Sequence, residues 1–237
     1  MPKDGGIGAS SKRREDIRFL TGAGNYTDDI NLRGQAYVFF LRSDIAHGTI
    51  NNIDTSAAEG MPGVVKVFTA ADFAGVGGMP CGWQVTDKHG EVMQEPGHPI
   101  LATGKVRHVG EPIAAVVAET LAQARDAAEA IDVDITELPA VIDMKDALKA
   151  DAPKVHDDLK NNLCYDWGFV EENKAAVEEA FQKAAHVTTL ELRNNRLVAN
   201  PMEPRVAVGD FARGTGDHTL YTTSQNPHVI RLLMGAF

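Results

Sequence analysis

The sequence predicts an α+β fold, in which strands and helices alternate along the chain. The main observation is an apolar run, Pro112–Ala118, followed by a helical pattern and then by an alternating segment, Asp132–Thr136. The 43% hydrophobic and 24% charged residues are typical of globular proteins and exclude a mostly disordered chain. The length of 237 residues allows one large domain or two small ones.

For the first part of the chain, up to residue 104, the sequence predicts a tail, three strands and a loop. Residues 1–16 are polar and rich in Gly and Ser, so we expect a loose tail. Beta-forming residues predict strands at Gln35–Leu41, Thr49–Asp54 and Gly63–Thr69. Residues 74–104 are rich in Gly and Pro and have little periodicity, which predicts a long loop of functional or partner-contacting character.

The segment from residue 112 to residue 136 carries the clearest local pattern. Pro112–Ala118 is typical of a strand covered on both faces. Thr120 is a candidate N-cap, and Gln123 three residues later completes a capping-box pattern. One helical face then carries the apolar residues Leu121, Ala124, Ala127, Ala128 and Ile131. With the strand Asp132–Thr136 this makes a βαβ-like or split unit, and a short helix at Asp143–Lys149 follows.

A domain boundary is predicted at residues 150–162, which are rich in Asp, Lys, Pro and Asn and read as a linker. Residues 17–149 would form the first domain and residues 163–237 the start of a second one. In the second region the sequence predicts four strands, at Tyr165–Val170, His186–Arg193, Arg205–Gly209 and His218–Thr223. It also predicts two helices, at Lys174–Ala184 and Pro227–Phe237.

Charge and composition exclude several function classes. A net charge of −10 and a pI near 5.2 argue against binding to nucleic acid and to anionic membrane surfaces. The longest apolar runs are far shorter than a membrane span requires. The residues after Arg13-Arg14 are charged rather than apolar, so we expect no export signal and a cytoplasmic protein. Cys81 and Cys164 indicate neither a disulfide framework nor a zinc site.

General motifs give no strong functional signal. The sequence contains neither a phosphate-binding P-loop nor a GxSxG nucleophile motif, and its His residues lack metal-ligand spacing. Two segments combine more charged and conformationally restricted residues than folding alone would require. Arg107–Pro112 combines Arg, His and Glu ahead of a buried strand, and its simpler interpretation is a charged turn that leads into the sheet. In Asn200–Arg205 prolines flank a carboxylate, and the simpler interpretation is a rigid loop held by a Glu203–Arg205 pair.

Together these segments resemble one family, the molybdenum-binding large subunits of the xanthine dehydrogenase, aldehyde oxidase and carbon monoxide dehydrogenase group. No single segment is decisive, but the matches occur in the family's order along most of the chain. The matching segments are residues 14–29, Leu41–Gly48, Met61–Val64, Val106–Ala118, Leu138–Val141, Asn194–Arg205 and Thr223–His228.

The resemblance implies an α/β hammerhead domain followed by the beginning of a molybdopterin-binding α+β domain. It implies that Gln225 hydrogen-bonds an oxo ligand of the molybdenum, and it assigns no catalytic or metal-ligating residue in this chain. The implied cofactor is molybdenum–molybdopterin in its cytosine dinucleotide form. A medium subunit would carry FAD and a small subunit the [2Fe-2S] clusters, because two cysteines do not supply four thiolates. The implied reaction oxidises an aldehyde, an N-heterocycle or a related small molecule, with water as the oxygen source.

The sequence departs from the family pattern where the catalytic segments would follow. The family's glycine-rich segment and its catalytic Glu lie beyond Phe237, and neither Glu111 nor Glu203 matches that base. We therefore expect a fragment or one half of a split subunit, inactive alone and completed by the remainder of the large subunit or a complementary chain. The alternative is a non-catalytic hammerhead scaffold for such a complex. A small-molecule binding protein is a third possibility, with no feature in its favour.

Overall fold

Strands and helices alternate in the computed structural model, which describes Ser10 and residues 12–168 and 173–235. Within these residues the strands are β1 (Tyr37–Arg42), β2 (Gly48–Asp54), β3 (Val64–Phe68), β4 (Lys105–Val106), β5 (Pro112–Ala118), β6 (Asp132–Glu137), β7 (Ala207–Ala212) and β8 (Asp217–Thr222). The α-helices are α1 (Asp16–Leu20), α2 (Ser56–Glu59), α3 (Leu121–Glu129), α4 (Lys174–Lys183) and α5 (Pro227–Met234). No helix among the described residues is both long and apolar enough to span a membrane.

Strand β5 is the centre of the first sheet, whose antiparallel order is β1-β5-β3. Successive side chains of a strand point to opposite faces. Accordingly Ala114, Val116 and Ala118 pack into a core with α3, while Ile113 packs into a second core with β4 and β6 residues. The predicted burial of this strand on both faces is therefore confirmed.

Helix α3 begins where the sequence predicts. The Thr120 side chain accepts a hydrogen bond from the Gln123 backbone N–H at 3.2 Å, which satisfies one of the free donors at the helix start. Ala124, Ala127 and Ala128 are fully buried against the first sheet, and these small side chains allow a close approach of helix and strand. Leu121, predicted on the same face, is 40% exposed.

The second sheet has the antiparallel order β4-β2-β6. The two strands that flank α3, β5 and β6, belong to different sheets, so the predicted βαβ-like or split unit is wrong, because both arrangements place the two strands in one sheet. Ile53 and Val133 contact both hydrophobic cores, which joins the two sheets. Strands β7 and β8 form a separate hairpin sheet.

The chain divides into two compact units by its contacts. One combines Met1–Gly34 with Arg193–Ile230, and the other combines Gln35–Leu192 with Arg231–Phe237. Both sheets around β5 and β2 lie in the second of these units, and the β7–β8 hairpin lies in the first.

Three predicted elements differ from the structure, and others lie partly outside the described residues. His186–Arg193 forms no strand and is exposed throughout, since no described segment pairs with it. The predicted helix at Asp143–Lys149 is a single 3₁₀ turn, Asp146–Leu148. Residues 165–168, the described part of the predicted strand Tyr165–Val170, form no strand, and residues 169–170 lie outside the described residues. Residues 1–9 and 11 of the predicted tail and residues 236–237 of the predicted last helix also lie outside them.

Candidate cofactor-binding site

Gln225 lies in a short turn between strand β8 and helix α5. The Ser224 hydroxyl accepts a hydrogen bond from the Asn226 backbone N–H at 3.0 Å, which fixes the turn on both sides of Gln225. Pro227 then occupies the first helical position, where its missing N–H costs no hydrogen bond. The Gln225 side chain is exposed. The turn therefore presents a neutral amide at the start of a helix.

The segment Asn200–Arg205 reaches this turn through its following residue. The Val206 carbonyl accepts hydrogen bonds from the Thr222 hydroxyl at 3.1 Å and from the Thr223 backbone N–H at 3.4 Å. The structure thus brings the proline-flanked segment and the Gln225 turn together within one unit. No ion pair joins Glu203 to Arg205 in the described part of the chain, so the expected loop-fixing pair is not formed.

The segment Arg107–Pro112 has a structural role that the sequence indicated as its simpler interpretation. The Glu111 carboxylate is 9% exposed and accepts a hydrogen bond from the Arg107 backbone N–H at 2.5 Å. Its other oxygen lies 4.0 Å from the Arg107 guanidinium, and His108 Nδ1 is 3.8 Å from the carboxylate. A buried carboxylate requires such partners, so Glu111 fixes the turn that leads into β5.

A segment that is distant in the sequence meets this turn. The Ser43 N–H donates to the Glu111 carbonyl at 2.9 Å, and the Gly110 N–H donates to the Ser43 carbonyl at 2.7 Å. The Arg42 guanidinium donates to the Gly110 carbonyl at 2.8 Å. The segment Leu41–Gly48 is therefore bound directly to Arg107–Pro112. Sequence reasoning missed this pairing, because the two segments are far apart in the chain.

His47 joins a third segment to the same region. This side chain is 6% exposed, and its Nδ1 lies 2.9 Å from the Pro139 carbonyl oxygen. The Leu138 N–H donates to the His47 carbonyl at 2.8 Å. Because Pro139 offers only an acceptor here, Nδ1 carries the proton and donates to it. His47 thus joins Leu41–Gly48 to Leu138–Val141 through Nδ1, while its buried Nε2 has no hydrogen-bond partner in the described part of the chain.

A cavity of about 290 Å³ adjoins the charged turn, and Arg107, His108, Glu111 and His156 are among its lining residues. Burial is the main cause that lowers the pKa of His156, and the positive charge of Arg107 lowers it further. The nearby carboxylates of Asp158, Glu111 and Asp157 oppose these effects. The cavity therefore favours a neutral imidazole beside the guanidinium.

The described residues contain no cluster of three or more His, Cys, Asp or Glu side chains that could hold a metal ion. Cys81 and Cys164 are both free thiols, so the structure forms no disulfide between them. The described part of the chain therefore offers Gln225 as a neutral hydrogen-bond donor and no set of direct metal ligands.

These features and the comparisons with known proteins define a class: an α/β hammerhead domain followed by a molybdopterin-binding region. The family model described as "Aldehyde oxidase and xanthine dehydrogenase, a/b hammerhead domain" matches residues 21–139. The model described as "Molybdopterin cofactor-binding domain" matches residues 155–237. The chain belongs to the aldehyde oxidase and xanthine dehydrogenase family, as the resemblance in the sequence indicated.

Individual relatives agree with this assignment. The chain is 35% identical to the nicotine 6-hydroxylase large subunit of Paenarthrobacter nicotinovorans, over 98% of this chain and 27% of the relative. It is 36% identical to the carbon monoxide dehydrogenase large chain of Hydrogenophaga pseudoflava, over 93% of this chain and 28% of the relative. The chain therefore spans little more than a quarter of the length of these relatives.

A solved structure shows the same fold. The crystal structure of quinoline 2-oxidoreductase from Pseudomonas putida 86 superimposes with a TM-score of 0.85 and 34% sequence identity. The match covers 98% of this chain and 28% of that one. The predicted fold class, hammerhead domain followed by the start of a molybdopterin-binding domain, is therefore confirmed.

Proposed function

We propose that this chain contributes to the large subunit of a molybdenum hydroxylase. That enzyme would oxidise an aldehyde, an N-heterocycle or a related small molecule, with water as the oxygen source. The observation that carries the proposal is the succession of a hammerhead match at residues 21–139 and a molybdopterin-domain match at residues 155–237. The substrates named for the relatives, nicotine and carbon monoxide among them, support a small-molecule substrate.

Gln225 is the residue of this chain that we assign to the cofactor. Its exposed amide lies in the turn fixed by Ser224 and Asn226, inside the region matched by the molybdopterin model. An amide N–H can donate a hydrogen bond to an oxo ligand of the molybdenum without adding charge beside the metal. The residues present thus fit a supporting contact to the cofactor. The cofactor, when bound, supplies the two-electron oxidation, and the protein binds and orients it.

The rest of the assembly follows from the same proposal. The cofactor would be molybdenum–molybdopterin in its cytosine dinucleotide form, held mainly by residues outside this chain. FAD and [2Fe-2S] clusters would lie on a medium and a small subunit. The names "large subunit" and "large chain" of two relatives support an enzyme of several chains. This chain by itself would have no turnover.

The test of the Gln225 assignment is Gln225→Ala in the molybdenum enzyme that contains this chain. Loss of an aligned hydrogen bond to the metal centre should lower kcat about 10-fold to 100-fold. The thermal midpoint and the molybdenum content should stay unchanged, since the exposed side chain contributes no core packing. Gln182→Ala on the exposed surface of helix α4 is the matched control. An unchanged kcat in the Gln225→Ala enzyme would overturn the assignment.

A further inference from the structure

The long loop of residues 74–104 contacts residues 153–166, which precede helix α4 and are called the connector below. Both segments belong to the unit that includes Gln35–Leu192. Apart from the isolated bridge between Thr86 and Val92, residues 74–104 form no strand pairing. A loop of this length without regular structure requires other contacts to hold one conformation. Five hydrogen bonds to the connector converge on one residue, Gln94.

Gln94 bonds the connector through its backbone and its side chain. Its backbone N–H donates to the Cys164 carbonyl at 2.8 Å, and the Cys164 thiol donates to the Gln94 carbonyl at 3.4 Å. The side-chain Nε2 donates to the Leu163 carbonyl and, at 3.2 Å, to the Asn161 side chain. Its Oε1 accepts from the Lys160 N–H at 3.4 Å. Each polar group of Gln94 thus has a partner between residues 160 and 164.

Two ion pairs attach the connector on either side of this contact. Lys88 Nζ lies 2.7 Å from Asp166, and the Lys88 N–H also donates to the Asp166 carbonyl at 3.0 Å. Lys105 Nζ lies 2.5 Å from Asp157. Exposed ion pairs of this kind contribute little individually. The hydrogen bonds of the Gln94 amide are therefore the most specific contacts between the loop and the connector.

The connector is itself ordered by a second amide. Asn162 accepts a hydrogen bond from the Val155 N–H at 2.9 Å and donates to the Pro153 carbonyl at 2.9 Å. It also donates to the Ala147 carbonyl at 3.3 Å. The residues that Gln94 binds are thus part of a folded turn, even though their composition is that of a flexible linker.

We propose that Gln94 is a positioning residue that fastens the first segment of the molybdopterin-binding region to the hammerhead domain. The family models place residue 94 in the hammerhead domain and residues 160–164 in the molybdopterin region. The long loop then acts as a strap across the domain boundary, and the first residues of the second domain move with the first domain. This inference concerns the fold and is independent of whether molybdenum is bound.

The experiment is hydrogen–deuterium exchange of the full chain, compared between the wild type and three variants. Gln94→Ala removes both side-chain donors and the acceptor. Gln94→Glu keeps an acceptor for the Lys160 N–H but loses the donors to Leu163 and Asn161. Gln84→Ala is the matched control, because Gln84 lies in the same loop but donates to Glu95 within that loop.

Both Gln94 variants should accelerate exchange of residues 155–166 about tenfold, because these amides exchange through local opening. Exchange in strand β5 should be unchanged, and Gln84→Ala should match the wild type at residues 155–166. If residues 155–166 exchanged at the wild-type rate in either Gln94→Ala or Gln94→Glu, the role of the amide donor would be overturned. Equal acceleration in β5 and the connector would also overturn it, since Gln94 would then be a general stability residue.

Discussion

At the scale of single residues, buried polar residues connect parts of the sequence that are distant from one another. The His47 side chain bonds the Pro139 carbonyl, and the Ser43 backbone N–H donates to the Glu111 carbonyl. Burying such groups is favourable only when partners are available. The charged side chains of Arg107–Pro112 therefore order the turn that leads into β5, and we assign the cofactor contact to Gln225 instead.

His156 gives this region a testable pH dependence. Burial and then Arg107 lower its pKa in the folded chain below the ordinary value of 6.5. Between the folded and unfolded pKa values the unfolded chain binds more protons, so stability is fully present above the unfolded pKa and falls as the pH decreases below it. Denaturant unfolding measured from about pH 5 to about pH 8 should show this decrease, and His156→Gln should reduce its slope.

A matched pair of Arg107 variants tests whether its positive charge lowers the pKa of His156. Arg107→Gln removes the positive charge, so the pKa of His156 should move up towards 6.5, while Arg107→Lys should leave it low. A nuclear magnetic resonance titration of the His156 ring measures both. An equal pKa in the two variants would contradict the electrostatic role of Arg107 and leave burial as the sole cause.

At the scale of elements, the close approach of strands β2 and β6 depends on Gly48. A Cβ atom at this position would lie 2.4 Å from the Ile135 side chain and 3.1 Å from the Thr136 carbonyl oxygen. Gly48→Ala should therefore lower the free energy of unfolding by about 1–3 kcal/mol, the usual cost of overpacking. Chemical denaturation measures the change.

The matched control is Gly82→Ala in the long loop, where an added Cβ would meet nothing within 4 Å. That variant should leave the free energy of unfolding unchanged within about 0.5 kcal/mol. A Gly48→Ala protein as stable as the Gly82→Ala protein would show that the second sheet tolerates a wider strand spacing than the structure indicates.

The elements predicted correctly are those specified by local pattern. Strand β5 is apolar on both faces and helix α3 carries its own N-cap, so each is recognisable within its own residues. The predicted strand at His186–Arg193 fails for the opposite reason. Its alternation is suitable for a strand, but a strand also needs a partner for its backbone hydrogen bonds. No described segment provides one, and Leu190 and Leu192 are 73% and 80% exposed.

At the scale of the whole molecule, the two units differ in how much apolar surface they bury. Both hydrophobic cores lie between residues 39 and 135, whereas Leu197 and Val198 in the other unit are 85% and 90% exposed. Limited proteolysis of this chain should cut first within residues 193–206 and leave a fragment that contains β1 to β6. Mass spectrometry of the products identifies the cut. Early cleavage within β5 or α3 would contradict this difference.

From the sequence, only the resemblance to the molybdenum-binding large subunits identified Gln225 as a candidate cofactor-binding residue. Gln225 lies in an exposed turn, and the part of the chain that the structure describes contains no group of three or more His, Cys, Asp or Glu side chains that could hold a metal ion. Composition and spacing could therefore not single it out, whereas the ordered series of family segments did. Neither composition and spacing nor the family resemblance could predict the Gln94 contacts. The loop and the connector carry no pattern that indicates a pairing across more than 60 residues of sequence.

The most direct test of the proposed function is the molybdenum content of the untagged protein purified from its own cells under conditions that keep complexes intact. The proposal predicts close to one molybdenum per copy of this chain, together with a pterin that releases a cytosine nucleotide on hydrolysis. A folded and abundant protein without molybdenum would contradict it. The hammerhead domain would then serve a non-catalytic scaffold, and Gln225 would be an ordinary turn residue.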